Sequence, residues 1–261
     1  MRISDITVIT PTGDRPLAFA LCQQWMKNQM KQPNQWIIVD DGKIPCEWLE
    51  QRPLELPGVI EYVRREPHPN DPQHTLSVNL EVSLPLIKGN KIIIIEDDEY
   101  YAPKYVAEMA LKLDQHEIVG IGAVKYYHLN SGRYYRQGNI DHASLAQTAF
   151  RDSLLPEFKE ILKTNIGSPF IDACLWEKIK GSGRGFIFVD DDNDSLYASI
   201  KGLPGRFGAA GHNPNSKKYQ RFSPDTFRTV LKQWIPKDHG IYMDIIVGKL
   251  TEENYQSWFK K

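Results

Sequence analysis

Two runs of carboxylates hold most of the chemistry available to this 261-residue chain. Glu96-Asp97-Asp98-Glu99 follows the apolar stretch Lys91-Ile92-Ile93-Ile94-Ile95. Four adjacent carboxylates repel one another unless a cation neutralises them. Hard oxygen donors of this kind suit Mg2+ or Mn2+, ions that commonly bridge carboxylates to phosphates. The bland alternative is a solvated acidic turn without a metal. The second run, Asp190-Asp191-Asp192-Asn193-Asp194, follows Phe186 to Val189. It is not an EF-hand loop, because Ser195 stands where Gly is required and Lys201 where Glu is required. A carboxylate crowded by others keeps its proton to higher pH and becomes a better proton acceptor. This run is therefore a candidate general base as well as a candidate surface turn.

Two more polar clusters close apolar runs: Thr10-Pro11-Thr12-Gly13-Asp14-Arg15 and Asp40-Asp41-Gly42. In open α/β sheets ligands bind beyond the carboxyl ends of the strands, so these clusters and Glu96 to Glu99 are expected on one edge. Arg15 can grip a phosphate through charge-assisted hydrogen bonds, or simply pair with a neighbouring carboxylate.

The elements that must position these groups are legible in the hydrophobic pattern. Strands are expected over residues 6–10, 36–39, 91–95 and 118–124, with a shorter one over 58–63. Helical spacing covers 16–31, 74–87 and 103–114. The run 91–95 is apolar on both faces, as the centre of a mostly parallel sheet requires. The alternation predicts an α/β fold, a doubly wound and mostly parallel sheet flanked by helices. In the second half, 126–140 reads as a hairpin, 154–163 and 172–180 as helices, and 186–189 as a strand. Residues 202–223 read as a loop, and 227–261 contain short elements in an order that the pattern does not fix.

Composition narrows the class. Hydrophobic residues make up 41% and charged residues 25%, the balance of an ordinary globular domain. The formal net charge of -1 gives no global attraction for a polyanion, so any basic patch is local. Cys22, Cys46 and Cys174 form no C-x-x-C pair and suit a reducing compartment. Neither a secretory signal nor a run of about 18 apolar residues is present. The expectation is a soluble, cytoplasmic protein without integral membrane association, in the host cytoplasm if it is viral.

Five segments carry a resemblance. ITVITPTGDRP, IIVDDG, IIIIEDDEYYAP, GSPFIDACLWEKI and DDDNDSLYASIKG occur in the order and spacing of the GT-A glycosyltransferases, family 2 type. The chain resembles that family over residues 5 to 213. Glu96 replaces the first Asp of its D-x-D segment and Asp190 the Glu of its E-D motif, each keeping the carboxylate. The resemblance implies a glycosyltransferase domain over 1–215, with a C-terminal extension over 216–261 packed on it. It implies a nucleotide-sugar donor, a UDP-sugar such as UDP-glucose being favoured, and Mn2+ or Mg2+ held by Glu96, Asp98 and His212. Asp40 would contact the base, and Thr10, Thr12, Arg15, Asn79 and Asp97 would complete the donor site. By that register Asp191 takes the place of the catalytic base, with Asp172 as its rival. A single base opposite the leaving group implies inversion.

The acceptor is open. Lys201, Arg206, Lys217, Lys218 and Arg221 accompany Tyr197, Phe207, Tyr219 and Phe222 without an acidic residue between Ser195 and Pro224. A second such stretch holds Lys125, Tyr126, Tyr127 and His128, then Arg133 to Arg136. Basic residues among aromatics hold phosphates and stack bases or sugars. The expected acceptor side comprises Tyr126, Tyr127, Asp190, Asp192 and Arg206. A glycan, a lipid-linked sugar or a small molecule fits, and so does nucleic acid. A hydroxymethylated base in viral DNA is one example, and it would have to be flipped out of the duplex. Two rival functions are a sugar-1-phosphate nucleotidyltransferase, whose G-x-G-T-R-L loop TPTGDRP lacks, and a nucleotide-sugar-binding module without turnover.

Overall fold

The computed structural model describes residues 5–46, 56–206 and 221–259. Its centre is a seven-stranded sheet built largely from the first half of the chain. The strands are β1 (Ile6–Thr12), β2 (Gln35–Asp40), β3 (Val59–Arg64), β4 (Lys91–Ile94), β6 (Ile118–Ile121), β9 (Thr148–Arg151) and β10 (Gly185–Phe188). They lie in the order β10-β6-β9-β4-β1-β2-β3. Neighbouring pairs are parallel except those of β9, which runs antiparallel to both β4 and β6. The carboxyl ends of the other six strands therefore share one edge.

Both faces of this sheet are covered, and the side-chain alternation shows it. Ile6, Val8, Trp36, Ile38, Ile93 and Ile95 belong to one apolar cluster. Ile9, Ile37, Val39, Ile92 and Ile94 belong to another on the opposite face. Successive strand residues point to opposite faces, so two buried faces demand an unbroken apolar run. The first cluster is completed by helices α1 (Pro16–Lys27) and α3 (Tyr105–Lys112). The second is completed by α2 (Leu76–Ser83), α4 (Leu155–Thr164) and α5 (Ile171–Ile179).

A second sheet, in the order β12-β8-β7-β11-β5, stands beside the first. It joins β5 (Tyr100–Tyr101), β7 (Lys125–His128), β8 (Arg133–Arg136), β11 (Tyr197–Lys201) and β12 (Ser223–Pro224). The expected hairpin is β7 with β8, paired Tyr126 to Tyr135. The C-terminal part forms α6 (Thr229–Trp234), α7 (His239–Ile246) and α8 (Tyr255–Trp258). Leu231, Trp234, Ile235 and Tyr242 enter the first core cluster. No helix among the described residues is long and apolar enough to cross a membrane.

Several boundaries differ from the sequence reading for local reasons. Helix α1 stops at Lys27 rather than residue 31, where Gln32 donates from Nε2 to the carbonyls of Met26 and Gln29. Strand β6 stops at Ile121, because the chain turns at Ala123 with φ of 52°. The hydrophobic pattern predicts no element over residues 190–201. The chain forms strand β11 there, pairing with both β5 and β7.

Candidate active site

The acidic turn after β4 is fastened to the loop after β1. Thr12 closes β1 and donates from Oγ1 to Asp97 Oδ2 at 2.7 Å. Asp14 then takes a left-handed conformation, φ 52°, and accepts a hydrogen bond from the Lys43 amide at 2.8 Å. That conformation is uncommon outside glycine, with Asp and Asn among the residues that tolerate it. The next residue, Arg15, meets the acidic turn. Its Nη2 lies 2.8 Å from Asp97 Oδ1 and its Nη1 2.8 Å from Asp98 Oδ2. Burial opposes the Arg15 charge, but Asp97 and Asp98 outweigh it and raise its pKa.

Glu99 anchors the other side of the turn. Its carboxylate accepts from Ser199 Oγ at 3.0 Å, the Ile200 amide at 2.6 Å and Lys201 Nζ at 2.6 Å. Strand β11 is thus tied to the acidic turn by one buried side chain. Oxygens of Glu96, Asp98 and Glu99 all lie within 4.8 Å of one another. Burial, then the charges of Asp98 and Glu99, pushes Glu96 up to about 8. Burial raises Asp97 to about 6, opposed mainly by Arg15. Burial raises Glu99 to about 7, opposed mainly by Lys201. The donor set fits a hard divalent cation: converging carboxylates that hold protons near neutral pH are sites where a cation can displace those protons.

Beside this turn lies a cavity of about 450 Å³ at the carboxyl ends of β1 and β2. Thr12, Gly13, Arg15 and Asp40 line it from the sheet edge, with Ile44, Pro45 and Cys46 from the following loop. Glu252, Tyr255 and Gln256 line it from the C-terminal segment. Asp40 reaches the cavity with its oxygens already engaged. Oδ1 accepts the Gly42 amide at 2.9 Å, and Oδ2 accepts the Cys46 amide at 2.9 Å and the Tyr62 hydroxyl at 2.7 Å.

Asp41 organises the same rim. It pairs with Arg65 at 2.8 Å and Arg206 at 2.6 Å. These partners hold its carboxyl low against the opposing effect of burial. The Arg206 amide also donates to the Asp14 carbonyl at 2.9 Å. Gly205 must be glycine here: at φ 104°, a Cβ would sit 2.8 Å from both the Asp14 carbonyl and Arg15 Cγ.

The second acidic run is built differently from the first. Asp190 is buried, accepting from Lys125 Nζ at 2.9 Å and the Leu196 amide at 2.9 Å. Lys125, also buried, donates in addition to the Asp191 carbonyl and to Ser195 Oγ. Asp192 pairs with Arg136. Asp191 is exposed, and its Oδ1 accepts the Asn193 amide at 2.7 Å in a local turn. Asp172 lies elsewhere, in the first turn of α5, and burial raises its pKa. Its charge reaches the Tyr126 hydroxyl. That hydroxyl is raised first by burial, lowered by Lys201, and raised again by Glu99, Asp172 and Glu96.

Among the expected site residues, the structure brings Thr12, Arg15, Glu96, Asp97 and Asp98 together. His212 lies outside the described residues. Other expectations change. Thr10 does not line the cavity: it is fully buried and its Oγ1 accepts the Trp36 indole N–H at 2.9 Å. Asn79 is buried, accepting from Arg65 Nε at 2.6 Å, and so holds the residue that holds Asp41. Asp97 is fully enclosed and, among the described residues, bonds to Thr12 and Arg15. Arg206 pairs with Asp41 and its amide donates to the β1 loop, while Asp190 pairs with Lys125 and Asp192 with Arg136.

Tyr127 is fully buried and bonded to Asp225, because strand alternation turns it away from Tyr126. Its place on the open face is taken by Tyr135, which stacks on Phe222 at 5.0 Å and lies 6.5 Å from Tyr126. Sequence reading named Glu99, Lys201 and Tyr135 only as members of the acidic and basic-aromatic runs, and did not single out Glu252 or Gln256. Glu99 was visible as the fourth carboxylate of the run. A lone Glu and Gln in a short helical segment carried no signal.

Comparison of the fold gives its class. S. aureus TarS 1-349 in complex with UDP-GlcNAc superposes with a TM-score of 0.55 at 15% identity, covering 93% of this chain and 70% of that one. The same protein in complex with UDP gives 0.55 at 14%, covering 97% and 78%. The mannosyltransferase PcManGT from Pyrobaculum calidifontis, in complex with GDP-Man and Mn2+, gives 0.52 at 15%, covering 78% and 58%. In two further TarS structures the match spans 60% of the 1-349 chain and 36% of a longer chain. No family model matches the sequence. No curated protein matches it either. The fold is of the GT-A glycosyltransferase type, a mixed α/β domain with a mostly parallel central sheet flanked by helices.

Proposed function

We propose that this chain is a metal-dependent glycosyltransferase that takes a sugar from a nucleoside-diphosphate donor to an acceptor hydroxyl. The observation that carries this reading is the junction of Asp97 and Asp98 with Thr12 and Arg15, two residues that line the cavity at the ends of β1 and β2. One guanidinium and one carboxylate cluster stand side by side where a diphosphate needs both. A divalent cation held by Glu96, Asp98 and Glu99 would supply Lewis-acid compensation for the leaving diphosphate charge. Mn2+ or Mg2+ suits these donors, and His212 remains a proposed further ligand from the resemblance. Arg15 adds charge-assisted hydrogen bonds to a phosphate oxygen.

The proton acceptor we assign to Asp172 rather than Asp191. Asp172 is half-buried in the first turn of α5 and its carboxyl is raised by burial, whereas Asp191 faces solvent and its Oδ1 accepts the Asn193 amide in its own turn. A desolvated carboxylate is the stronger base once ionised. In the step proposed, the acceptor oxygen attacks the anomeric carbon and the bond to the diphosphate breaks. Asp172 takes the hydroxyl proton. A single displacement of this kind inverts the anomeric centre.

The acceptor side in this reading is the face of the β7–β8 hairpin on which Tyr126 and Tyr135 present neighbouring rings. Stacked rings suit a sugar or a base, so a glycan, a small molecule and a hydroxymethylated DNA base remain acceptors of the right chemistry. Incubation with nucleotide sugar, acceptor and Mn2+ tests the reading. Free nucleoside diphosphate is the expected product. In a parallel incubation with a nucleoside triphosphate and a sugar 1-phosphate, release of pyrophosphate would assign the chain to nucleotidyl transfer, and donor binding without turnover in either incubation would assign it to a binding module.

A further inference from the structure

Asp40 is the carboxylate at the end of β2, where the base of a donor nucleotide would be read, yet its oxygens already accept the amides of Gly42 and Cys46 and the Tyr62 hydroxyl. That leaves it to shape the 42–46 loop. Two polar side chains that line the same cavity come from the far end of the chain, the half-buried Glu252 and the exposed Gln256. Their segment is fixed in place. Leu250 and Tyr255 pack on Leu17 and Ala20 of α1, the helix that begins directly after Arg15. Between them, the Thr251 amide donates to Asn254 Oδ1 at 2.9 Å and the Tyr255 amide to the Thr251 carbonyl at 3.0 Å. This turn holds Glu252 against the cavity, half-buried, with no hydrogen bond to its carboxylate among the described residues.

Resting on the donor reading above, we infer that Glu252 and Gln256 read the nucleobase of the donor, so that base recognition comes from the C-terminal segment rather than from Asp40. An ionised carboxylate only accepts hydrogen bonds, whereas an amide both donates and accepts. A lactam edge, a ring N–H beside a carbonyl, answers both groups at once. Uracil and guanine carry that edge. Adenine and cytosine present a bare ring nitrogen there, whose lone pair would face the carboxylate. Burial, with the neighbouring charge of Glu253, raises the Glu252 pKa, as expected for a carboxyl held at a partly closed wall.

Calorimetric titration of UDP, GDP, CDP, ADP and inorganic pyrophosphate into the full chain with Mn2+ tests this, using wild type, Glu252→Ala and Gln256→Ala. In the wild type, UDP or GDP binds at least about tenfold more tightly than ADP and CDP, the scale on which unmatched hydrogen-bonding groups discriminate. The better of the two identifies the base. Glu252→Ala narrows the preference to about threefold or less and leaves pyrophosphate binding unchanged, because one wall contact is lost and the phosphate contacts are not. An unchanged ranking in both variants overturns the inference and leaves the donor reading intact. Equal weakening of all five ligands also overturns it, as damage to the fold. A wild type that binds no nucleoside diphosphate overturns the inference and the donor reading together.

Discussion

Arg15 and Asp98 are joined by a 2.8 Å contact between Nη1 and Oδ2, across the gap between the loops that follow β1 and β4. The same guanidinium holds Asp97, which in turn holds Thr12. One side chain therefore neutralises part of the acidic turn while lining the cavity. Ion pairing in so enclosed a place is strong only when geometry and partners are complete, and here both carboxylates meet the two ends of one fork.

Asp172→Asn is expected to lower kcat by about 10²- to 10⁴-fold, the usual contribution of a positioned base. Donor affinity stays at the wild-type level. Asp191→Asn leaves kcat within about threefold, as an exposed turn residue should. Steady-state kinetics on both variants, with donor binding measured separately, decides between them. A large kcat loss in the Asp191 variant alone would restore the assignment drawn from the family register.

The raised carboxyls set a pH window with a definite sign. Glu96 and Glu99, held at about 8 and 7 against an ordinary 4.5, favour the protonated form in the folded chain. Their contribution to stability is full below the ordinary glutamate range and is lost as pH rises through 7 and 8. Mn2+ competes with the same protons, so its affinity grows over that interval. Calorimetry should find binding strengthened by at least about tenfold between about pH 6 and 8. A flat profile would show that these carboxyls do not receive the ion.

Lys125 and Asp190 form a buried pair whose loss leaves one charge without its partner. Lys125→Met is expected to cost about 3 to 5 kcal/mol in urea unfolding. Asp191→Ala, one residue from that pair, should cost less than about 0.5 kcal/mol. Comparable losses in the two variants would refute a structural role confined to Lys125 and Asp190.

The two neighbouring tyrosines of β7 should separate by function. Tyr127→Phe removes a hydroxyl bonded to Asp225 and Arg228 and should cost about 1 to 3 kcal/mol of stability, with the acceptor KM unchanged. Tyr135→Ala should raise the acceptor KM with little change in kcat, since it removes a stacking surface used in binding alone. A KM effect from Tyr127→Phe would mean that the buried face is not buried during turnover.

Much of this was legible in the chain because apolar strands and the polar groups that end them are local signals. Ile92 to Ile95 announce a strand covered on both faces, and Glu96 to Glu99 must then emerge at its end. What the pattern could not give was pairing. Nothing near Glu99 in the sequence points to Ser199 or Lys201, which reach it through the return of β11 beside β5. The run 190 to 194 looked as catalytic as the first, yet Lys125, distant in sequence, converts Asp190 into a structural ion pair. Glu252 reaches the cavity only because Leu250 and Tyr255 pack on α1, a contact between the two ends of the chain.

The central claim is that the acidic turn and Arg15 receive a nucleoside diphosphate together with a divalent cation. Its most direct test is calorimetric titration of UDP-GlcNAc and GDP-Man into wild type and Asp98→Asn, each with Mn2+ and with chelator. At least one donor should bind the wild type with Mn2+, weaken by about 100-fold or more on chelation, and show no Mn2+ dependence in Asp98→Asn. Donor binding of equal strength in chelator, or undiminished metal dependence in Asp98→Asn, would contradict the account.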